Sequence, residues 1–187
     1  MVPKIDKIAW LTATKTMLKL LSIIVIFFLC IEATSAHVMV AQHATLRFQT
    51  KGVYFLASYP VSAFDGVDNN HDLLMDPSEL KIHYDTLVQR VRNHVQLTED
   101  GKVKELEGLL INLSHSHSPQ KAVSQLLVMG RFKPVQKGKL VFKSSLFGTK
   151  KHEKSLKIRV TWSNKPIEFV LTPQKTEISL SYLKKLD

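Results

Sequence analysis

The residues that could do chemistry are concentrated in one stretch of the chain, from Asp68 to Glu79. Oxygen-bearing side chains occupy positions 1, 3, 5, 9 and 12 of this stretch, the spacing of an EF-hand calcium loop: Asp68, Asn70, Asp72, Asp76 and Glu79. Ca²⁺ is a hard cation that takes about six to eight oxygen ligands. The backbone carbonyl of Leu74 would fill position 7, and Met75 would anchor the loop to the core. The spacing therefore predicts one calcium site.

Position 6 of the loop departs from the pattern, because Leu73 stands where the motif requires Gly. The loop turns there with a positive φ, and a non-Gly residue loses about 1–2 kcal/mol in that conformation. We therefore expect a weak Ca²⁺ site, with an affinity near the 10⁻⁴ to 10⁻³ M, in order of magnitude, of extracellular modules.

A metal-free turn is the alternative interpretation of the same residues. Asp, Asn, Pro and Ser clusters form ordinary turns. The stretch Asp76-Pro77-Ser78-Glu79 is also a good helix start by itself. It has an Asp N-cap, Pro at the first helical position and Glu three residues after the cap.

Histidines form a second candidate metal site, and they define the alternative function. The residues are His37, His43, His115 and His117. A cut after Ala36 would make His37 the N-terminus, whose amine and ring could bind one ion together. Imidazole suits copper, nickel and zinc. These residues would make the chain an exported transition-metal (nickel or copper) handling accessory protein, unless they are only surface polar residues.

Catalytic motifs are absent from the sequence. There is no G-x-S-x-G, no H-E-x-x-H and no phosphate-binding loop. The single cysteine, Cys30, lies within an apolar run near the N-terminus. We therefore expect a binding or accessory protein and not an enzyme.

The first 36 residues have the features of a signal peptide. Lys15 and Lys19 precede an apolar run over residues 20–31, and Thr34-Ser35-Ala36 supplies small residues before the predicted cut. The run is shorter than the roughly 20 residues of a transmembrane helix. We expect an exported protein, periplasmic or secreted, with a single β-rich domain over residues 37–187. An uncleaved membrane anchor is the alternative.

The charge of the chain is strongly basic, with 26 Lys and Arg against 16 Asp and Glu. Residues 37–187 keep 22 basic against 14 acidic residues, a net charge of +8. The bases are spread over strand-like segments, without an Arg-rich helix or an aromatic-interleaved patch, so we expect no nucleic-acid partner. The charge is compatible with contact with anionic surfaces. The partner predicted here is an unidentified protein or envelope component.

Alternating apolar residues predict many short strands and one helix. The helix is expected at about residues 77–94, with one apolar face at three- and four-residue intervals. Strand candidates lie at 44–49, 53–59, 95–97, 103–106, 109–113, 122–132, 139–147, 156–162, 167–171 and 177–183. The predicted fold is mainly β with one inserted amphipathic helix, an antiparallel, immunoglobulin-like β-sandwich.

Residues 37–113 also show a resemblance to a known family. It rests on Ala36-His37, Tyr59-Pro60-Val61, Asp68-x-Asn70-x-Asp72, Asp76-Pro77-Ser78-Glu79-Leu80, the amphipathic helix and Asp100-Gly101. This combination resembles the extracytoplasmic N-terminal part of HupE/UreJ-type membrane proteins, a family associated by name with hydrogenase or urease nickel handling. No further transmembrane segment follows the signal here, so no permease activity is expected. The resemblance implies an exported β domain that carries a calcium loop.

A first prediction concerns processing. Because the apolar run is short and small residues follow it, the exported protein should begin at His37. N-terminal sequencing of the exported product checks this. An intact Met1 on a membrane-bound product would contradict it.

Overall fold

A computed structural model of the chain describes residues 42–114, 122–136 and 138–181. Ten strands and one α-helix, α1 (Pro77–His94), lie within these ranges. The strands are β1 (Gln42–Gln49), β2 (Gly52–Pro60), β3 (Val95–Glu99), β4 (Lys102–Lys104), β5 (Leu106–Leu113), β6 (Gln125–Phe132), β7 (Leu140–Ser144), β8 (Leu156–Trp162), β9 (Lys165–Leu171) and β10 (Glu177–Ser179). Two 3₁₀ turns cover Val61–Ala63 and Lys151–Glu153.

The strands form two sheets. The larger has the order β5-β6-β2-β1-β8-β9, and the smaller has the order β10-β7-β3-β4. The prediction of a mainly β fold with one helix is therefore confirmed. The immunoglobulin-like assignment stays a prediction.

One pairing differs from the antiparallel arrangement that the sequence indicated. Among the pairs of the described strands, β1 and β8 run parallel, and the expectation was wrong for this pair. The hairpin partner β2 occupies one edge of β1. The other edge is reached only after the chain has passed through the smaller sheet, and a long crossover places no constraint on strand direction.

The inner faces of the two sheets form one core. The ring of Phe142 on β7 has its centroid 6.0 Å from that of Phe55 on β2 and 6.4 Å from that of Phe132 on β6. The buried hydroxyl of Tyr59 on β2 lies 3.0 Å from the hydroxyl of Ser144 on β7. Burial raises the pKa of Tyr59 more than this hydrogen bond lowers it, so the hydroxyl stays neutral.

Helix α1 covers the range that the sequence predicted. Its apolar face buries Leu87 and Val91 completely. The backbone N–H of Ile111, on the edge strand β5, donates to the hydroxyl of Tyr84 at 3.4 Å. The helix therefore covers this edge of the larger sheet, which would otherwise present unpaired donors. In the described part of the chain, no helix has both the length and the apolarity to cross a membrane.

A buried carboxylate at the end of β3 stabilises the smaller sheet. Glu99 is 9% exposed, and it accepts hydrogen bonds from the backbone N–H groups of Gln136 at 2.6 Å and Gly138 at 3.1 Å. The ammonium of Lys104 lies 3.1 Å from its other oxygen. Burial alone would raise the pKa of Glu99, but the hydrogen bonds from Lys104 and the two backbone groups outweigh burial and hold the pKa below its ordinary 4.5.

Replacing this carboxylate should make stability less dependent on pH. Because the folded-state pKa of Glu99 is lowered, its contribution is complete well above pH 4.5 and is lost as the pH falls through that lowered value. Glu99→Gln should cost about 1–3 kcal/mol in the free energy of unfolding at neutral pH. The difference from wild type should shrink in acid, as urea unfolding at several pH values would measure.

The matched control is Glu177→Gln, which removes an exposed carboxylate from β10 of the same sheet. It should change the free energy of unfolding little at any pH. A Glu99→Gln variant that is as stable as this control at neutral pH would contradict the assigned role.

Candidate metal centre

The predicted calcium loop connects the 3₁₀ turn at Val61–Ala63 to helix α1. Its first part is anchored by Phe64 and Val67, which are both buried. Its last part is anchored by Met75, which is also buried. The N–H of Met75 donates to the carbonyl of Val123 at 2.8 Å and its carbonyl accepts from the N–H of Val123 at 3.0 Å. The loop is therefore attached to the core at both ends, while its middle is exposed.

The side-chain oxygens at positions 1 and 3 converge on one backbone donor. Asp68 Oδ1 and Asn70 Oδ1 accept from the N–H of Asp72, at 3.3 and 3.1 Å. Asp68 Oδ2 accepts from the N–H of Leu73 at 2.8 Å. At position 5, Asp72 Oδ1 accepts from the N–H of Leu74 at 2.7 Å, and Asp72 Oδ2 accepts from Asn70 Nδ2 at 3.0 Å. The oxygens of the first half of the loop thus point into the turn.

Leu73 adopts the left-handed backbone conformation that position 6 requires. Its φ is 63°, and its side chain is 40% exposed, so little burial compensates the strain. His71 has a φ of 60° and shares this conformation. The carboxylate of Asp68 accepts from the Leu73 N–H and so helps to hold the strained turn. Each non-Gly residue in this conformation costs about 1–2 kcal/mol.

The second half of the loop forms a capping box. Asp76 Oδ1 accepts from the N–H groups of Ser78 at 2.6 Å and Glu79 at 2.8 Å. Glu79 Oε2 accepts from the N–H of Asp76 at 3.1 Å, and Glu79 Oε1 accepts from the N–H of Asn69 at 2.9 Å. Glu79 is only 5% exposed. Its carboxylate therefore connects the first turn of the helix to the beginning of the loop.

These carboxylates do not form a ready-made metal cluster. Across residues 42–114, 122–136 and 138–181, no three His, Cys, Asp or Glu side chains lie together in a group that could hold a metal ion. Asp72, Asp76 and Glu79 instead each accept from nearby backbone N–H groups. Asp68 and Asn70 are brought together, and Glu79 reaches Asn69 beside them.

A contact at this loop was missed by the sequence interpretation. The ring nitrogen Nε2 of His83 lies 2.9 Å from Oδ1 of Asn69. His83 follows Glu79 by four residues, so both side chains lie on one face of the helix. That spacing was the available signal, and both residues contact Asn69.

The histidines of the alternative site are not brought together by any described contact. His43 is exposed on β1 and is opposite Lys157 in the parallel register with β8. His37, His115 and His117 lie outside the described residues. Of these four histidines, the structure therefore describes only His43, and the residue opposite it, Lys157, is basic.

Comparisons with known proteins identify no family for this chain. A scan against protein-family models finds no match for this chain, and a search of curated proteins finds no match either.

The strain at Leu73 leads to a prediction that does not involve a metal. Leu73→Gly should raise the free energy of unfolding by about 1 kcal/mol in the presence of a chelator, because Gly adopts φ 63° without strain. Urea unfolding measures the change.

Leu73→Ala is the matched control, since it shortens the side chain but keeps the Cβ that causes the strain. It should leave stability close to that of wild type, because the leucine is exposed. A glycine variant that is no more stable than the alanine variant would show that the turn is not strained.

Proposed function

We propose that this chain is an exported, calcium-binding module with a binding or accessory role, in which one structural Ca²⁺ ties the loop to helix α1. The observation that carries the proposal is the turn at Leu73. Its φ of 63° and the shared N–H of Asp72 together aim the oxygens of Asp68 and Asn70 into the loop. That arrangement suits a hard cation, which takes oxygen ligands from alternate residues.

The donor set fits calcium in its chemistry. Asp68, Asn70, Asp72, Asp76 and Glu79 would supply side-chain oxygens, and Leu74 would supply a backbone carbonyl. An ionised carboxylate has about four lone-pair positions. The two backbone N–H groups that Glu79 accepts therefore leave acceptor capacity on that carboxylate. A bound Ca²⁺ would offset the negative charge of a loop that carries four carboxylates, those of Asp68, Asp72, Asp76 and Glu79.

Export is supported by the sequence of the first 36 residues, which has the features of a signal peptide. No cysteine follows these residues, so the domain has no disulfide to stabilise it. A domain of this length can build its own core without disulfides. The buried apolar side chains of both sheets support that expectation. An immunoglobulin-like sandwich remains part of this proposal.

The alternative, an exported nickel or copper handling protein like the HupE/UreJ-type extracytoplasmic region, has weaker support. Its described member, His43, lies beside Lys157 and Arg159, which would repel a metal cation.

Calcium should raise the melting temperature of the protein. At about 10 mM Ca²⁺, an affinity near 10⁻⁴ M gives a hundredfold excess and about 2.7 kcal/mol of stabilisation. That corresponds to a shift of several degrees, at about 2–4 °C per kcal/mol. Melting curves in chelator and in Ca²⁺ measure the shift.

Two variants sharpen this experiment. Glu79→Gln weakens both the capping box and the proposed ligand set, so its calcium shift is compared with its own melting curve in chelator. That shift should vanish. Asp85→Asn removes an exposed carboxylate from the same helix outside the loop, and its shift should equal that of wild type. A shift that survives Glu79→Gln, or no shift in wild type, would reduce the stretch to a capped turn.

A further inference from the structure

A concave site lies on the outer face of the larger sheet, away from the calcium loop. Its volume is about 400 Å³, and it lies across β1, β8 and β9. Its polar side chains come from each of these strands: His43, Thr45, Lys157, Arg159 and Glu168. Small-molecule sites in proteins are typically about 300–1,000 Å³. The cavity is therefore large enough for a small ligand or a head group.

Positive charge prevails in this cavity. The guanidinium of Arg159 lies 2.8 Å from Glu168, so these two charges compensate each other. Hydrogen bonding and charge from Arg159, together with the charges of Lys157 and His43, hold the pKa of Glu168 below its usual range. Lys157 makes no salt bridge with a carboxylate of the described ranges. One ammonium group is therefore left uncompensated beside the imidazole of His43.

An apolar row begins at the wall of this cavity. Thr45 is directly opposite Leu56 on β2, Leu56 is opposite Met129 on β6, and Met129 is opposite Leu110 on β5. Residues directly opposite each other lie on the same face of a sheet. Leu56 is 43% exposed and Leu110 is 46% exposed. The row therefore crosses three strands beyond Thr45, and neighbouring strands lie about 4.8 Å apart.

We propose that this face binds an anionic amphiphile. A phosphate or carboxylate head group occupies the cavity and contacts Lys157 and His43. A hydrocarbon chain lies along Leu56, Met129 and Leu110. The head group is assigned from charge complementarity with the uncompensated ammonium. The chain is assigned from the exposed apolar row that is continuous with the cavity.

Other occupants fit the same observations less well. A metal cation at His43 would face the two bases beside it. A bilayer or an acidic protein would contact a broad surface, whereas the positive charge here is held in a concave site of limited volume. This proposal is independent of calcium binding, because it uses none of the loop residues.

The test is isothermal titration of the full chain with ethyl phosphate and hexyl phosphate, below the micelle concentration and at constant ionic strength. Each buried methylene contributes up to about fourfold in affinity. Four additional methylenes on an open face, about half buried, should make hexyl phosphate bind about fifteenfold more tightly than ethyl phosphate.

Two variants separate the head-group site from the apolar row. Lys157→Ala should weaken hexyl phosphate by at least about tenfold, through loss of a charge-assisted contact. Leu56→Ser should leave ethyl phosphate unchanged and bring the two affinities closer together. The controls are Lys143→Ala and Val103→Ser, an exposed base and an exposed apolar residue of the smaller sheet. Both should bind like wild type, and circular dichroism melts check that all four variants fold.

Several outcomes would overturn the proposal. Equal affinities of wild type for the two phosphates would show that the apolar row does not bind the hydrocarbon chain. If Lys157→Ala binds hexyl phosphate as tightly as wild type, Lys157 does not bind the head group and the proposed head-group site is wrong. That outcome would result if the apolar run at residues 20–31 took up the ligand. Binding to anionic vesicles without binding to hexyl phosphate would assign the face to a bilayer and not to a single amphiphile.

Discussion

The packing of Phe142 against Phe55 and Phe132 holds the two sheets face to face, and the chain crosses between these sheets. The chain leaves the larger sheet at the end of β2 and enters the smaller sheet at β3. Between these strands it forms the loop and then helix α1. The start of the helix is held beside β6 through Met75 and Val123, and its end continues directly into β3. The candidate metal centre therefore lies on the connection from β2 to β3, the first of several connections between the two sheets.

One carboxylate serves two structural purposes on that connection. A capping box needs Glu79 only to accept from the N-cap residue, but here the same side chain also accepts from Asn69 at the beginning of the loop. The turn interpretation and the calcium interpretation therefore depend on the same residue. A helix start that is already attached to its loop needs less ordering when a cation binds, and less ordering means a smaller entropic cost.

Local sequence patterns predicted the helix and the strands well, but they did not predict which distant strands pair. The helix was expected from its cap and its apolar spacing, and each described strand overlaps a predicted segment, because these signals come from residues close in sequence. The parallel pair of β1 and β8 depends on residues far apart in the chain. The burial of Glu99 was missed for the same reason, since its backbone donors lie about forty residues away. At the candidate site, spacing suggested the ligand set and placed Glu79 and His83 on one face of the helix. Their shared contact with Asn69 also depends on the path of the loop, which spacing does not give.

The parallel pairing of β1 with β8 has a consequence for the order in which the protein folds. In this pair Gln42 is opposite Leu156, so the larger sheet pairs residues that are 114 positions apart in the chain. Contacts between distant residues form slowly, because the intervening chain must lose its freedom before they form. A chain emerging N-terminus first would have one edge of β1 unpaired until β8 had also emerged. During that interval a chaperone, or rapid completion of synthesis, would protect this edge from pairing with other chains.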